Sequence, residues 1–250
     1  MVFPLYDDNS DRTTTPIVNY VLIAINILVF VFLPQLGNND KFTYAFSTMP
    51  QEIISGRDVI TPNRRVEHPG TGQELLLTGL QPTPFSVYLT LIFSMFMHGG
   101  IAHIAGNMLF LWIFGDNVED RMGHVRYLIF YLVCGVLASL AHVFTTVMFA
   151  TEPGSLLIPS LGASGAISGV LGGYLLLYPT RRVTVILFRF LTEVPAYVAI
   201  GIWFAFQLIS GFLGGSQLGG VAYAAHIGGF VAGLLLIKLF TIGRPTRAAY

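Results

Sequence analysis

Residues 161–173 read LGASGAISGVLGG, a run of glycine, alanine, serine and small aliphatic side chains carrying two hydroxyls, Ser164 and Ser168, four positions apart. The nature of the surrounding solvent decides what such a run is for. Charged residues make up 10% of the 250-residue chain and apolar residues 54%, and the mean hydropathy is +0.69, where ordinary soluble domains carry roughly 25% charged residues. The chain therefore reads as an integral membrane protein. In lipid the hydrophobic effect no longer draws helices together, and small residues that let backbones approach closely take its place. The formal net charge is zero, so no basic surface points to nucleic acid. The single cysteine, Cys134, lies in an apolar run, which excludes an internal disulfide framework and a cysteine-rich zinc cluster.

Working outward from this run, apolar stretches separated by charges or helix breakers predict six spans. Span 1 runs from Ile17 to about Leu33, opened by Pro16 with Thr15 as its cap. Asp7, Asp8 and Asp11 precede it where a secretory signal would be basic, so it reads as an uncleaved anchor. Residues 34–100 form a long outer loop, mixed and polar up to about Val87 and partly lying on the lipid surface. Span 2 lies within about Ile101 to Phe114, after Gly99 and Gly100, and span 3 within about Tyr127 to Phe149. Pro153, Pro159 and Gly162 end that region. Span 4 runs from Ser164 to Tyr178, stopped by Pro179. The stretch Phe190–Ile237 must hold spans 5 and 6, with the turn at Gly214, Gly215, Gly219 and Gly220. The reading is a single all-α polytopic membrane domain, 1–250.

Six spans put both termini on one side. Nine of the 13 Lys and Arg residues, namely Arg12, Arg121, Arg126, Arg181, Arg182, Arg189, Lys238, Arg244 and Arg247, fall on that side, against Lys41, Arg57, Arg64 and Arg65 in the first loop. By the positive-inside rule the tails 1–15 and 242–250 are cytoplasmic. Spans 2, 4 and 6 then run from outside to inside.

Strongly polar groups inside spans are costly and are candidate functional residues by default. His98, His103 and Asn107 occur in HGGIAHIAGN, Ser164 and Ser168 in the small run, and His226 in AAHIGG. At about 1.5 Å rise per residue, span 4 is ~22 Å long, short of the ~30 Å hydrocarbon core, so its start lies roughly 8 Å below the outer surface. His226 and Asn107 fall at similar depths on spans 6 and 2. Gly165 and Gly169, with Ser168, form a small face on span 4, and Gly229 and Gly233 form its counterpart on span 6. Ser164 can then meet His226, a base near pKa ~6.5 suited to taking its proton. His103 and Asn107 share a helix face, and with the Ser164 N–H at a helix N-terminus they supply donors for a developing oxyanion. Asp116, Glu119 and Asp120 belong at the cytoplasmic end and Glu152 in a loop, so the set reads as a Ser/His dyad. His68, His124 and His142 read as loop, cytoplasmic-end and helix-packing residues.

With His98, His103 and Asn107 at spacings of five and four, G-A-S-G at 162–165 and A-H-x-x-G at 225–229, the sequence resembles the rhomboid family of intramembrane serine proteases. The resemblance implies the prokaryotic six-helix core, seated in the bacterial inner membrane and cleaving transmembrane segments of membrane proteins without metal or cofactor. Carried over, Ser164 is the nucleophile, His226 the base, and His103 and Asn107 contribute to the oxyanion hole, with His98, Gly162 and Gly165 supporting the site. Two features depart from the family. A Trp-Arg pair common in the first loop is absent, and the position four after the nucleophile, aromatic in some members, is Ser168, so another group must hold His226.

Two other functions stand beside this one. A secondary transporter would also place polar groups on interrupted helices, but here they are confined to the outer third. Catalytically dead, client-binding relatives usually lack the serine or the histidine, and both are present here. Neither substrate identity nor oligomeric state is legible. The topology is open to direct test: single cysteines at Ser10 and Thr246 should be shielded from an impermeant thiol reagent in intact cells while one at Gln73 labels, and the reverse pattern inverts the assignment.

Overall fold

The computed structural model describes residues 2–67, 74–149, 154–187, 189–214 and 222–244. His68, Gln73, Glu152, Pro153, Gly215, Gly219, Gly220, Thr246 and Arg247, used above, lie outside these. Nine α-helices are described: α1 (Ile17–Phe32), α2 (Asp40–Ala45), α3 (Pro50–Ser55), α4 (Thr90–Phe93), α5 (Ile101–Met122), α6 (His124–Phe149), α7 (Ser164–Leu177), α8 (Ala196–Gly214) and α9 (Tyr223–Phe240). The strands are β1 (Val2–Asp7), β2 (Arg64–Glu67), β3 (Glu74–Leu77), β4 (Arg182–Leu187) and β5 (Phe190–Pro195). The six predicted spans correspond to α1, α5, α6, α7, α8 and α9. By length and apolarity α6 and α9 each suffice to cross a membrane, and 87–96 joined to α5 makes a third such element, bent by 81°. The helices α1, α7 and α8 are apolar but shorter.

The core is built on glycine. A Cβ added at Gly229 or Gly233 of α9 would overlap the carbonyl oxygens of Gly165 and Gly169 on α7, and one at Gly172 would overlap the Phe230 carbonyl. The backbones of α7 and α9 thus touch directly, as their small faces require. On its other flank α7 meets α6, where Gly169 lies against Cys134 and Gly165 against Ala138. Large side chains fill the remainder, with Phe114, Phe130, Tyr127, Tyr131 and Tyr174 fully buried.

Several sequence expectations are corrected. Helix α5 does not stop at Phe114 but continues to Met122, because its acidic end is bonded rather than solvated. Asp116 pairs with Arg12. Asp120 accepts from the Thr14 hydroxyl at 2.6 Å and backbone N–H at 2.8 Å. Glu119 accepts the Val18 and Asn19 N–H groups at 2.9 and 2.6 Å, and so caps α1. Thr15 is not that cap: α1 begins at Ile17 with Pro16 at its N-cap and no side-chain cap from its own flank. Only Gly123, at φ +81°, separates α5 from α6, and a left-handed residue there makes so short a reversal possible. Accordingly α6 starts at His124, before the expected Tyr127.

The long first loop is also more than a surface strand of chain. It contains α2, α3 and the antiparallel β2–β3 hairpin, and 87–96 steps into the bundle, burying Leu91, Ser94 and Met95. The region 190–237 holds two helices as expected, but the first begins only at Ala196, since Phe190–Pro195 is a strand paired with β4. The N-terminal segment is likewise no free tail. Strand β1 pairs antiparallel with β4, Val2 opposite Leu187, giving a three-stranded sheet in the order β1-β4-β5 beneath one end of the helices.

A buried polar lattice welds this sheet to the bundle. Asp7 accepts from the Tyr174 hydroxyl at 2.6 Å and the Asn117 amide at 2.7 Å. Arg181 donates to Asn117 Oδ1 and Asp11 Oδ2, both at 2.6 Å. Burial pushes the Asp7 carboxyl up to about 7, outweighing the hydrogen bonds from Tyr174 and Asn117 and the charge of Arg181. A carboxyl with its pKa raised on folding holds its proton more tightly in the native state. Its contribution to stability is present at low pH and lost as pH rises from about 4 to about 7. Asp7→Asn stays neutral throughout. Thermal unfolding in detergent should therefore show the wild type losing stability across that window relative to Asp7→Asn, and parallel curves would contradict the assignment.

Candidate active site

Ser164 is the first residue of α7, and the chain reaches it through a pinned loop. Thr48 and Ser160 exchange backbone hydrogen bonds of 2.9 and 2.8 Å, and the Gly162 N–H donates to the Ser94 carbonyl at 2.8 Å. Gly162 adopts φ +115°, which only glycine takes readily. Its missing side chain matters equally: a Cβ there would lie 2.8 Å from His103 Nε2 and 3.7 Å from Asn107 Nδ2. The two polar residues of α5 therefore face the backbone just ahead of Ser164, one turn apart on one helix face. Among the described residues Asn107 Nδ2 has no hydrogen-bond partner although buried.

From the other side α9, seated on α7 by the glycine contacts, carries His226. Its Nε2 lies 2.8 Å from Ser164 Oγ. Its Nδ1 lies 2.8 Å from Gln207 Oε1 on α8. With a carbonyl oxygen facing Nδ1, the neutral ring holds its proton on Nδ1 and leaves Nε2 as an acceptor for the serine hydroxyl, a tautomer assigned from this network. Trp203, one turn before Gln207, lies 6.2 Å from the imidazole at an interplanar angle of 36°, and Tyr223 meets it edge-on at 6.5 Å. Ser168 donates its hydroxyl to the Ser164 carbonyl at 2.6 Å, back along its own helix.

The remaining expected residues fall beside this centre. His98 is fully buried, 5.1 Å from the His103 ring and edge-on to Phe30 at 6.5 Å, and neither of its ring nitrogens has a partner among the described residues. Gly165 acts by packing, against Ala138 and near the Ala225 carbonyl. A small cleft next to Ser164 is lined by Ser139, Ser160, Gly162 and Ala222, among others. Asp116, Glu119 and Asp120 are engaged with Arg12, the start of α1 and the 13–14 backbone at the opposite end of the bundle.

Comparison with known proteins gives this arrangement its context. A family model described as Rhomboid domain matches residues 86–242, more than half of the chain and the whole of the site. The chain belongs to the rhomboid family. It is 29% identical over 237 residues to rhomboid protease GluP of Bacillus subtilis, covering 94% of this chain and 36% of that protein. It is 32% identical over 150 residues to the mitochondrial Rhomboid protein 1 of Saccharomyces cerevisiae, covering 59% of this chain and 40% of the relative. A human relative, the mitochondrial presenilin-associated rhomboid-like protein, is 30% identical over 144 residues, 58% of this chain and 36% of its own. This rhomboid thus spans well under half the length of these curated relatives. Family membership and the apolar helices make it an integral membrane protein.

Sequence reasoning missed Gln207 and the role of Trp203 beside the histidine. Gln207 carried the same signal as the residues that were picked out, an amide within an apolar span. Its partner depends on how α8 is rotated, which no local pattern specifies. The geometry at Gly162 can be checked by stability alone. Gly162→Ala forces a non-glycine residue to φ +115° against the His103 ring and should cost on the order of 1–3 kcal/mol. Gly106→Ala, where a Cβ meets nothing within 4 Å, should be neutral to slightly stabilising in the same detergent melts. Equal melting temperatures for the two variants would contradict the strain.

Proposed function

We propose that this rhomboid is an intramembrane serine endopeptidase that hydrolyses peptide bonds in or near the transmembrane segments of membrane proteins. The observation that carries the reading is the 2.8 Å contact between Ser164 Oγ and His226 Nε2 at the N-terminus of α7. His226 Nε2 takes the hydroxyl proton as Ser164 Oγ attacks the scissile carbonyl carbon. The developing oxyanion is met by the Ser164 N–H, His103 and Asn107. The tetrahedral intermediate collapses with loss of the amine, which receives the proton from His226, and an ester to Ser164 remains. Water then attacks the ester, giving its proton to His226; the carboxylic acid departs and the proton returns to Ser164. The similarity to a Bacillus subtilis protein named as a rhomboid protease supports this chemistry.

The same reading covers topology and extent. Residues 1–250 form one membrane domain in the bacterial inner membrane, with both termini cytoplasmic and the loop 34–100 outside. The dyad then lies nearer the outer surface, and the sheet and its polar lattice face the cytoplasm. Ser168 is no competing nucleophile, since its hydroxyl is committed to the Ser164 carbonyl.

A fluorophosphonate probe should label the wild type and Ser168→Ala but neither Ser164→Ala nor His226→Ala, because an unassisted serine hydroxyl reacts too slowly. Against a panel of labelled transmembrane substrates, His103→Ala and Asn107→Ala should each lower kcat by ~10²- to 10³-fold with the protein still folded. Undiminished proteolysis by Ser164→Ala would overturn the dyad.

A further inference from the structure

We infer that Gln207 is the positioning residue for His226, so that the dyad is completed by a neutral amide from α8 where soluble serine proteases use a carboxylate. This rests on the reading of Ser164 as nucleophile and His226 as base. Gln207 is buried at 6% exposure within an apolar helix. A group of that polarity at that depth is expensive unless bonded, and its carbonyl oxygen is bonded to one atom, Nδ1 of His226.

The chemistry of the contact decides what it does. A neutral imidazole carries one proton. If that proton sat on Nε2, the ring would point a donor at Ser164 and have no lone pair there to accept the hydroxyl proton. An acceptor at Nδ1 holds the proton on the far side and keeps Nε2 free, as in the orienting role of a triad's third member. Gln207 takes no proton in any step. Its Oε1 accepts the Nδ1–H before, during and after the transfer at Nε2. An amide suits the site because a carboxylate would introduce a buried charge within the span, whereas the amide fixes ring orientation and tautomer without one.

Helix α8 supplies the rest of the support from the same face. Trp203, four residues earlier, lies against the imidazole, while Ser168 of α7 has its hydroxyl turned to Ser164. Among the described residues, Gln207 to His226 is also the one side-chain hydrogen bond that ties α8 to another helix. The seating of the base is therefore set by the position of α8.

The test uses the full chain, purified in detergent, with a cleavable transmembrane substrate and the fluorophosphonate probe in parallel. Gln207→Met, close in volume but with no acceptor oxygen, should lower kcat and the labelling rate ~10- to 100-fold while leaving KM within about twofold of wild type. Gln207→Glu restores an acceptor at the same reach and should return most of that loss. Gln207→Asn, one methylene too short, should behave like the methionine variant. Wild-type kcat in Gln207→Met, or equal losses in the methionine and glutamate variants, would overturn the inference. A raised KM with unchanged kcat would do so as well, by assigning Gln207 to substrate binding. Should Gln207→Met fail to fold, the contrast between the asparagine and glutamate variants decides the question. Ser164→Ala separates the two readings: if it is inert while Gln207→Met is normal, only the role of Gln207 fails, and if it still cleaves, the nucleophile assignment fails first.

Discussion

Direct contact between the backbones of α7 and α9 is the constraint on which the molecule depends. Gly229 and Gly233 rest on the carbonyls of Gly165 and Gly169, and Gly172 rests on that of Phe230. In lipid such contact replaces hydrophobic burial as the source of helix association, because it maximises dispersion between atoms that no side chain separates. It also sets the chemistry. Ser164 immediately precedes one contact residue and His226 stands three before another, so the spacing of the helices fixes the distance between hydroxyl and imidazole. A single methyl on this seam would move the helix axes by more than a 2.8 Å hydrogen bond tolerates.

The opposite end of the bundle solves a different problem. There the chain gathers Asp7, Asp116, Glu119 and Asp120 in largely buried positions. Buried charges are destabilising unless their partners are in place. Each finds one in a segment distant in sequence: Tyr174 and Asn117 for Asp7, Arg12 for Asp116, the first turn of α1 for Glu119, and Thr13 and Thr14 for Asp120. These bonds gather α1, α5, α7 and the sheet at one rim, while the site end keeps the freedom of an apolar bundle with a few placed polar groups. The polar lattice and the candidate site are thereby separated along the length of the bundle.

What could be read from the chain follows from this division. The spans, the small faces of α7 and α9, and the polar residues at matched depth were legible because each is a local pattern whose meaning lipid makes unambiguous. Even the fate of the Ser168 hydroxyl follows from the i−4 carbonyl geometry of any helix. The sheet was not legible, since β1 and β4 are some 180 residues apart and VFPLYD carries no clean alternation. The extent of α5 was missed for a related reason: a cluster of acidic residues reads as solvated, and only the fold shows that Arg12 and the start of α1 lie over it. The stepped segment 87–96 is apolar enough to enter the bundle, but its preceding prolines read as surface loop. Gln207 was visible as an oddity, yet its meaning required the rotation of α8 about its own axis.

The contact pattern also bears on how the chain comes into being. Helix α7 packs chiefly on α9, the last of the described helices, and only slightly on its neighbour in sequence, α8. Ser164 and His226 are 62 residues apart, so at ~5–20 residues per second Ser164 waits about three to twelve seconds on the ribosome before His226 is synthesised. During that interval the glycine seam of α7 has no α9 to rest on, and the Ser164 hydroxyl has no imidazole beside it. The helix pair that carries both groups is therefore completed only when α9 joins α7 in the membrane.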